Sequence, residues 1–485
     1  MSESNRAQTG ISFSFRVSKR PLHSKFLTNR RALMLAFALP LFVRLIPEIV
    51  FPVPVGFDTA ILSFGAKYNP VPQFKFRILE AFILPYILHT MRVDLLLFMK
   101  FYSPVIYGSM VFLLTLYAFR VLDWNERKLF LLALVLTFSP TMLRMSWDNH
   151  SQNLATIFLL ITLNVLGKKP SLFRLLAVIP LAALTALTHQ LVSVVSAIIL
   201  ISEGIHFLKS LKRGLSSIPA LATLMFAGII IFLLNPLLTP MRIIESIQFL
   251  FKKSIININQ FTLVLQALVS TWFLFPACII GFMLHRRLFS WFIVCIAVYI
   301  LSFFMGNIEV LVPGRWVIYS TIPLAFFVVN SYGKHLGDSR SKSTMLILTM
   351  VLTITTGVGM LFPSGTPVTS FMHDVYPEIP KTLASSTAKQ EHIHAIQSFT
   401  NYLNGVDANA CAITHYPYFF WWTGYLYVGK TVYIGPEYTT EQSLHMYAEK
   451  ASDTCKEKIY LIWFSGLDWA KELQSIGELS LYRYP

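Results

Sequence analysis

The chain has 485 residues, of which 55% are hydrophobic and 13% are charged. Soluble domains usually contain about 25% charged residues, so the composition excludes an ordinary soluble protein and indicates a polytopic membrane protein. The net charge of +16 is uneven, because residues 365–485 hold 8 Lys and Arg against 12 Asp and Glu. A basic membrane part with an acidic tail does not indicate nucleic-acid binding. It is typical of a helix bundle anchored by basic cytoplasmic loops, with a soluble domain on the other side.

A membrane-spanning helix needs about 20 apolar residues. After a basic tail at residues 1–31, for which we expect no cleavable signal peptide, a transmembrane bundle is predicted over residues 32–363. Its spans are placed at 32–51, 95–119, 129–143, 151–167, 172–188, 190–208, 216–238, 260–284, 288–306, 315–332 and 343–363. We therefore predict a mainly α fold with about eleven spans.

The orientation of the bundle follows from the distribution of Lys and Arg. The segment 76–90 carries Arg77, Glu80 and Pro85, and it is compatible either with a span or with a helix in the membrane interface. If it lies in the interface, all the basic connections face one side: the N-terminal tail, 120–128, 168–174, 209–213, 285–287 and 334–342. Because cytoplasmic loops carry the excess of Lys and Arg, we predict a cytoplasmic N-terminus, an external C-terminus and an interfacial first external loop at 52–94.

This orientation places two acidic segments on the external face. Asp58 lies in the first external loop, where it fits either a helix N-cap or a general base for an acceptor hydroxyl. The next external loop, at 144–150, contains Arg144, Asp148, Asn149 and His150. Capping of the following helix accounts for Asp148 or Asn149. Four such residues in one short loop are dense for a connector, however, and favour a functional role.

Three further residues complete the external set. His189 lies in a polar turn between two spans, where it is either a plain turn residue or part of the lining of a site. Glu309 and Arg315 flank the sequence VLVPG. A surface ion pair between them is worth at most about 1 kcal/mol, whereas charges at the membrane edge usually mark substrate paths and a guanidinium fits a phosphate. The sequence contains no Gly-rich phosphate loop, zinc-ligand spacing or Ser-His-Asp pattern.

From residue 364 the composition becomes that of a soluble domain. A helix is predicted over 389–405, and strands at 410–414, 431–435, 458–464 and 480–484 alternate with helices near 441–450 and 467–476. This pattern predicts a small external α/β domain over residues 364–485. About half of the aromatic run HYPYFFWWTGYLYVGK is expected in its core. Cys411 and Cys455 both lie here, and the sequence leaves open whether they form a disulfide.

The arrangement resembles the GT-C superfamily of membrane glycosyltransferases, which take sugars from polyprenyl-phosphate carriers. Asp58 in VGFDTA is similar to the acidic motif in the family's first external loop. The residues Asp148-Asn149-His150 resemble the Asp-Asn-Glu motif of oligosaccharyltransferase catalytic subunits, with His in place of Glu. Glu309 and Arg315 stand where that group has an acid and a donor-phosphate arginine. Trp421-Trp422-Thr423 is similar to the start of the family's Trp-Trp-Asp-Tyr-Gly motif, with Thr in place of the acid.

The resemblance implies an inverting transferase of a cell membrane or ER-type membrane. Its donor is a polyprenyl or dolichyl phosphate carrying a hexose or pentose, and its acceptor is a lipid-linked glycan or a protein. Asp58 is then the general base, and Arg315, with His189 and Arg144, binds the leaving phosphate. The remaining residues either orient the substrates or share a divalent cation, for which oxygen ligands suit Mg²⁺ or Mn²⁺. They are Asp148, Asn149, His150 and Glu309.

Two other functions stay open at the level of sequence. One is oligosaccharyltransferase-like transfer of a whole glycan to protein Asn, against which the short tail and the incomplete Trp-Trp-Asp-Tyr-Gly motif argue. The other, from a different class, is a membrane transporter or lipid flippase. Transporter sites lie near the bilayer midplane between repeated broken helices, whereas the unusual charges here gather at one predicted face.

Overall fold

The computed structural model describes residues 22–51, 54–55, 83–148, 150–167, 172–211, 218–234, 271, 274–283, 285–305, 313–332, 340–361, 367–375, 390–414, 417–433, 441–452, 455, 458–464 and 466–485. Its fold is mainly helical with one small sheet. The helices before the sheet are α1 (Leu22–Val50), α2 (Leu84–Thr90), α3 (Leu95–Val121), α4 (Glu126–Phe138), α5 (Pro140–Asp148), α6 (His150–Leu166), α7 (Leu172–Thr188), α8 (Gln190–Leu211), α9 (Ile218–Leu234), α10 (Phe275–Gly281), α11 (Arg286–Met305), α12 (Pro313–Ser331), α13 (Arg340–Gly359), α14 (Pro367–Val375) and α15 (Gln390–Val406).

Most of the predicted spans coincide with helices to within a few residues, as α3, α6, α7, α8, α11, α12 and α13 show. The predicted span 32–51 lies within α1 apart from its last residue, but α1 begins earlier, at Leu22. Among the described residues, two helices are long and apolar enough to cross a membrane, at Asn29–Val50 and Leu96–Val121. The bent pair α4 and α5 gives a third if it forms one span. These helices make the chain an integral membrane protein. The total of about eleven spans stays a prediction. Residues 76–82 and most of the segment 260–284 lie outside the described residues. The rest of the segment 76–90 contains the short helix α2, and whether this segment spans the membrane or lies in its interface stays a prediction.

The predicted span 129–143 is wrong as a continuous helix, because α4 and α5 meet at an angle of 66°. Pro140 has no N–H to donate and disfavours a helical residue before it, and Ser139 is accordingly extended, with ψ 124°. The Tyr107 hydroxyl lies 2.7 Å from the Leu136 carbonyl oxygen and 3.0 Å from that of Thr137. This hydroxyl satisfies buried carbonyl groups at the break. The predicted loop at 144–150 is therefore largely helical, since α5 continues to Asp148.

The C-terminal ends of three helices meet at one end of the bundle. Tyr117, near the end of α3, lies 6.1 Å from the ring of Phe326 in the second half of α12 and 3.3 Å from Nδ1 of His285. Arg287, at the start of α11, donates to the carbonyl groups of Leu163 and Gly167 at the end of α6. The first turns of α3, α6 and α12 consequently lie together at the opposite end of the bundle, called here the first-turn end.

A buried ion cluster holds together the end of the bundle opposite the first-turn end. Glu203 of α8 is 1% exposed and accepts two hydrogen bonds from Arg286, from Nε at 2.7 Å and Nη2 at 2.8 Å. Its Oε1 atom also lies 3.0 Å from Nε of Arg287. Because Arg287 reaches the end of α6 as well, one carboxylate connects α8, α11 and α6.

A five-stranded sheet follows the bundle in the chain. Its elements are β1 (Cys411–Thr414), α16 (Pro417–Leu426), β2 (Lys430–Tyr433), α17 (Glu441–Ser452), β3 (Ile459–Phe464), β4 (Lys471–Ile476) and β5 (Leu479–Arg483). The strand order is β2-β1-β3-β5-β4. β1 pairs in parallel with β2 and β3, whereas β5 is antiparallel to β3 and β4. The expected α/β character of this region is confirmed, as are its helices at 389–405 and 441–450.

The helix predicted near 467–476 is wrong, because residues 471–476 form β4. The sequence reverses at Gly477 and Glu478, and Gly477 has a φ of +61°, a conformation that glycine adopts at little cost. The two-residue turn sets β4 against β5, with Ile476 opposite Leu479. Pairing with β5 outweighs the weak helical pattern of KELQSI.

The core of this region contains part of the aromatic run. Phe419, Trp422 and Tyr427 are buried, which agrees with the expectation that about half of the run is core. Cys411 and Cys455 form a disulfide. Leu96 of α3 packs against the same core, and the C-terminal region therefore lies at the first-turn end of the bundle.

The ion cluster yields a prediction about stability. Glu203→Gln leaves two arginines facing a neutral side chain, and removing one partner of a buried ion pair costs about 3–5 kcal/mol. We expect the melting temperature in detergent to fall clearly. Glu126→Gln, the same change at an exposed position in the first turn of α4, is the control. Equal melting temperatures of the two variants would show that the cluster is not important for stability.

Candidate active site

The structure describes four of the predicted site residues with their side chains. These are Arg144, His150, His189 and Arg315. Asp58, Asn149 and Glu309 lie outside the described residues, and Asp148 is described only as the last residue of α5. The roles assigned to all eight stay predictions. What the structure adds is the location of the first four and of the elements that carry them.

His150 is the first residue of α6 and is fully buried, at 0% exposed. The hydroxyl of Ser103, on α3, lies 3.1 Å from its Nδ1 atom. The ring of Tyr102 packs edge-on against it at 6.1 Å between centroids. His150 is therefore an inward-facing residue fixed by α3, rather than the end of a solvated loop.

Arg315 occupies the first turn of α12, beside the buried Gly314. The N-terminus of a helix directs unpaired N–H groups and a partial positive charge at whatever lies in front of it, and anions bind there readily. Arg315 adds a full positive charge and a planar set of donors to this end of α12. The first turn of α12 is thus suited to an anionic group such as a phosphate.

His189 and Arg144 lie on neighbouring elements. His189 is 4% exposed and joins α7 to α8, and α7 runs back along α6 after a short connection. The end of α7 therefore lies at the first-turn end, as does His189. Arg144 is in the middle of α5, which packs on α12 through the hydroxyls of Thr141 and Thr321, 2.9 Å apart. The four described candidates thus lie on elements that converge beside the first turns of α6 and α12.

Sequence patterns did not identify an ion pair at the exit of α1. Arg44 and Glu48 are 0% and 1% exposed, with 2.6 Å between Nη1 and Oε1. The Nη2 atom of Arg44 donates to the Val55 carbonyl oxygen, and the Val55 N–H donates to Glu48, each at 3.0 Å. Both backbone groups of Val55 are therefore bound by one ion pair. The signal in the sequence is the spacing of Arg and Glu four residues apart within an apolar span.

Helix α3 also binds the chain where it leaves α1. The ammonium group of Lys100 donates to the Phe51 carbonyl oxygen at 2.7 Å, one turn before Ser103, which contacts His150. The chain that enters the predicted first external loop is thus tied to the helix that fixes His150. Val55 stands three residues before Asp58, and three residues span at most about 11 Å.

A metal site is not evident in the described part of the chain. Among those residues, no group of three or more His, Cys, Asp or Glu side chains is close enough to hold a metal ion. Of the predicted ligands Asp148, His150 and Glu309, only the His150 side chain is described, and it contacts Ser103. Binding of Mg²⁺ or Mn²⁺ stays a prediction.

Comparison with solved structures identifies a shared fold. The cryo-EM structure of the arabinofuranosyltransferase AftD from mycobacteria superimposes with a TM-score of 0.54 at 12% identity, over 94% of this chain. A single-residue variant of that enzyme, in two classes, gives a TM-score of 0.47, 12% identity and 94% coverage, with 41% of its own length covered. The chain spans 40% of the length of AftD. No protein-family model matches this sequence, and no curated protein matches it significantly.

The ion pair at the exit of α1 yields a double-mutant prediction. Arg44→Met and Glu48→Leu each leave a buried charge without its counter-ion, whereas the double variant removes both charges. We expect each single variant to be less stable than the double variant in thermal unfolding. Glu48→Leu also removes the acceptor of the Val55 N–H, so amide exchange of a peptide containing Val55 is expected to accelerate. Additive effects of the two substitutions would contradict the pairing.

Proposed function

We propose that the protein is a membrane glycosyltransferase that moves one sugar from a polyprenyl-phosphate donor to a glycan, lipid or protein acceptor. The observation that carries the proposal is the fold shared with an arabinofuranosyltransferase over 94% of the chain. Because that enzyme transfers arabinofuranose, a lipid-linked pentose is the first donor to test, and lipid-linked hexoses follow. Fold alone does not fix a reaction, so the arrangement of individual residues has to support it.

The residues at the first-turn end support a reaction in which a lipid phosphate is the leaving group. Arg315 at the N-terminus of α12 offers both helix N–H groups and a guanidinium, a combination that stabilises the negative charge developing on a leaving phosphate. His189 and Arg144, on elements next to it, are proposed as further ligands of that phosphate. The adjoining bilayer accommodates the polyprenyl chain. In the predicted orientation this end faces the outside, and the C-terminal α/β region lies on the same end.

The proposed reaction is a single inverting displacement. Asp58 accepts the proton of the acceptor hydroxyl while the acceptor oxygen attacks the anomeric carbon. The bond between that carbon and the phosphate oxygen breaks, and its electron pair leaves on the lipid phosphate beside Arg315. His150, held by Ser103, together with Asp148, Asn149 and Glu309, orients the two substrates. If the carboxylates among them hold Mg²⁺ or Mn²⁺, the ion supplies additional positive charge at the phosphate.

The general base is tested by substitution. Asp58→Asn keeps the size of the side chain but does not accept a proton at neutral pH, and loss of a general base usually lowers the rate by about 10²–10⁴-fold. We expect this loss in kcat for transfer from a labelled polyprenyl-phosphate pentose by the purified protein in membranes, with donor binding retained.

Asp123→Asn is the matched control, because Asp123 lies between α3 and α4 at the opposite end of the bundle and its left-handed φ of 54° suits Asn. Full transfer by Asp58→Asn would exclude this residue as the base. A wild-type protein that transfers no sugar but carries the lipid across the bilayer would instead establish a flippase.

A further inference from the structure

The first turn of α6 is unusual because four consecutive polar residues are fully buried there. His150, Ser151, Gln152 and Asn153 are all 0% exposed. His150 contacts Ser103, and the Asn153 amide donates to the Met145 carbonyl oxygen at 2.7 Å. In the part of the chain that the structure describes, Ser151 Oγ and Asn153 Oδ1 have no hydrogen-bond partner. Gln152 is the residue of this turn whose amide nitrogen and carbonyl oxygen both lack one. A buried amide in this state is destabilising and calls for an explanation, of which a ligand that supplies the partners is one.

Gln152 lies on the same face of α6 as Thr156, which contacts α12. The Thr156 hydroxyl donates to the Gln152 carbonyl of the backbone at 2.7 Å and lies 3.1 Å from the hydroxyl of Tyr319. Gln152 precedes Thr156 by four residues, and Arg315 precedes Tyr319 by four residues on α12. Because residues four apart lie on the same face and both helices begin at the first-turn end, Gln152 and Arg315 each lie one turn, about 6 Å, from that contact on the same side. This placement sets Gln152 and Arg315 beside the same region between α6 and α12, at the first-turn end.

The chemistry of an amide selects among ligands for that region. The Gln152 side chain has two N–H donors and one carbonyl acceptor, so complete satisfaction requires a ligand that both donates and accepts. A phosphate diester accepts hydrogen bonds from the amide nitrogen, but it carries no proton to donate to the amide oxygen. Neighbouring hydroxyl groups of a sugar satisfy both atoms. The charge of Arg315 suits the phosphate that is bonded to the same sugar.

We propose that Gln152 binds the hydroxyl groups of the donor sugar, while Arg315 binds the phosphate of the same molecule. This assignment rests on the proposed function, and it identifies Gln152 as a binding residue that recognises the sugar rather than the lipid. It also explains why four consecutive polar residues are buried at the start of α6, whereas the rest of that helix is mostly apolar.

The first test uses stability in the absence of donor. Gln152→Leu removes an amide without partners, so the melting temperature is expected to stay the same or to rise. Asn164→Leu is the matched comparison, a second buried amide on α6 whose nitrogen donates to the carbonyl groups of Leu113 and Leu160, and its melting temperature is expected to fall. A fall of similar size for Gln152→Leu would show a structural role and overturn the assignment.

The second test separates recognition of sugar from recognition of phosphate. Two probes are used, a short polyprenyl phosphate and the same lipid carrying a pentose or hexose, and their dissociation constants are measured in nanodiscs. We expect the wild-type protein to bind the sugar-bearing lipid more tightly. Gln152→Leu should weaken binding of that lipid roughly 10- to 100-fold, as expected for two lost hydrogen bonds, and leave binding of the bare phosphate unchanged. Arg315→Gln should weaken binding of both.

The outcomes distinguish a failure of the role assigned to Gln152 from a failure of the proposed transferase function. If Gln152→Leu binds the sugar-bearing lipid as tightly as wild type, Gln152 does not contact the sugar, and the proposed transferase function stands without it. If the wild-type protein binds neither probe, the proposed function itself is wrong. The role of Gln152 in binding the donor sugar is then wrong as well.

Discussion

A polar or charged side chain inside a membrane bundle is stable only when the protein, or something bound to it, supplies its partners. Nearly all the features described above follow from this constraint. Glu203 is bound by Arg286 and Arg287, and the two arginines also connect the ends of neighbouring helices. Arg44 and Glu48 bind each other and both backbone groups of Val55. In each case the charges of an apolar span act as fixed connections between chain segments.

The two ends of the bundle use polar residues differently. At the end where α3, α6 and α12 finish, the carboxylate of Glu203 is bound entirely by arginines of the protein itself. At the first-turn end, the N-terminus of α12 presents Arg315, and the first turn of α6 buries an amide that has no partner among the described residues. In our proposal the Glu203 end stabilises the bundle, whereas the first-turn end binds a ligand that has both a negative charge and hydroxyl groups.

Apolar run lengths were enough to place most helices, because a span in hydrocarbon has to be long and continuous in its hydrophobicity. They did not show the break at Ser139 and Pro140, where the Tyr107 hydroxyl from another helix compensates for the missing hydrogen bond. Nor did they show β4, whose strand conformation depends on pairing with β5 rather than on its own residues. Tertiary partners of this kind are not visible in a local pattern.

The sequence selected candidate residues for the site, and their roles stay predictions. Charge distribution and motif resemblance selected His150 and Arg315, which the structure places on helices with adjoining first turns. Gln152 was not selected, because an amide next to a motif carries no charge and no recognisable spacing. Its complete burial, with both amide atoms unpartnered among the described residues, depends on the tertiary structure. Glu48 was not selected for a related reason, since its role depends on the backbone of Val55, which the sequence does not position.

The central claim is that the first-turn end of the bundle holds the head group of a lipid-linked sugar. A cryo-EM structure of the protein in nanodiscs with a polyprenyl-phosphate sugar tests it most directly. We expect phosphate density beside Arg315 at the start of α12, with sugar density between that phosphate and Gln152. Lipid phosphate bound instead at the opposite end, in the apolar groove between α1 and α3 that Arg30 and Arg31 line, would contradict it.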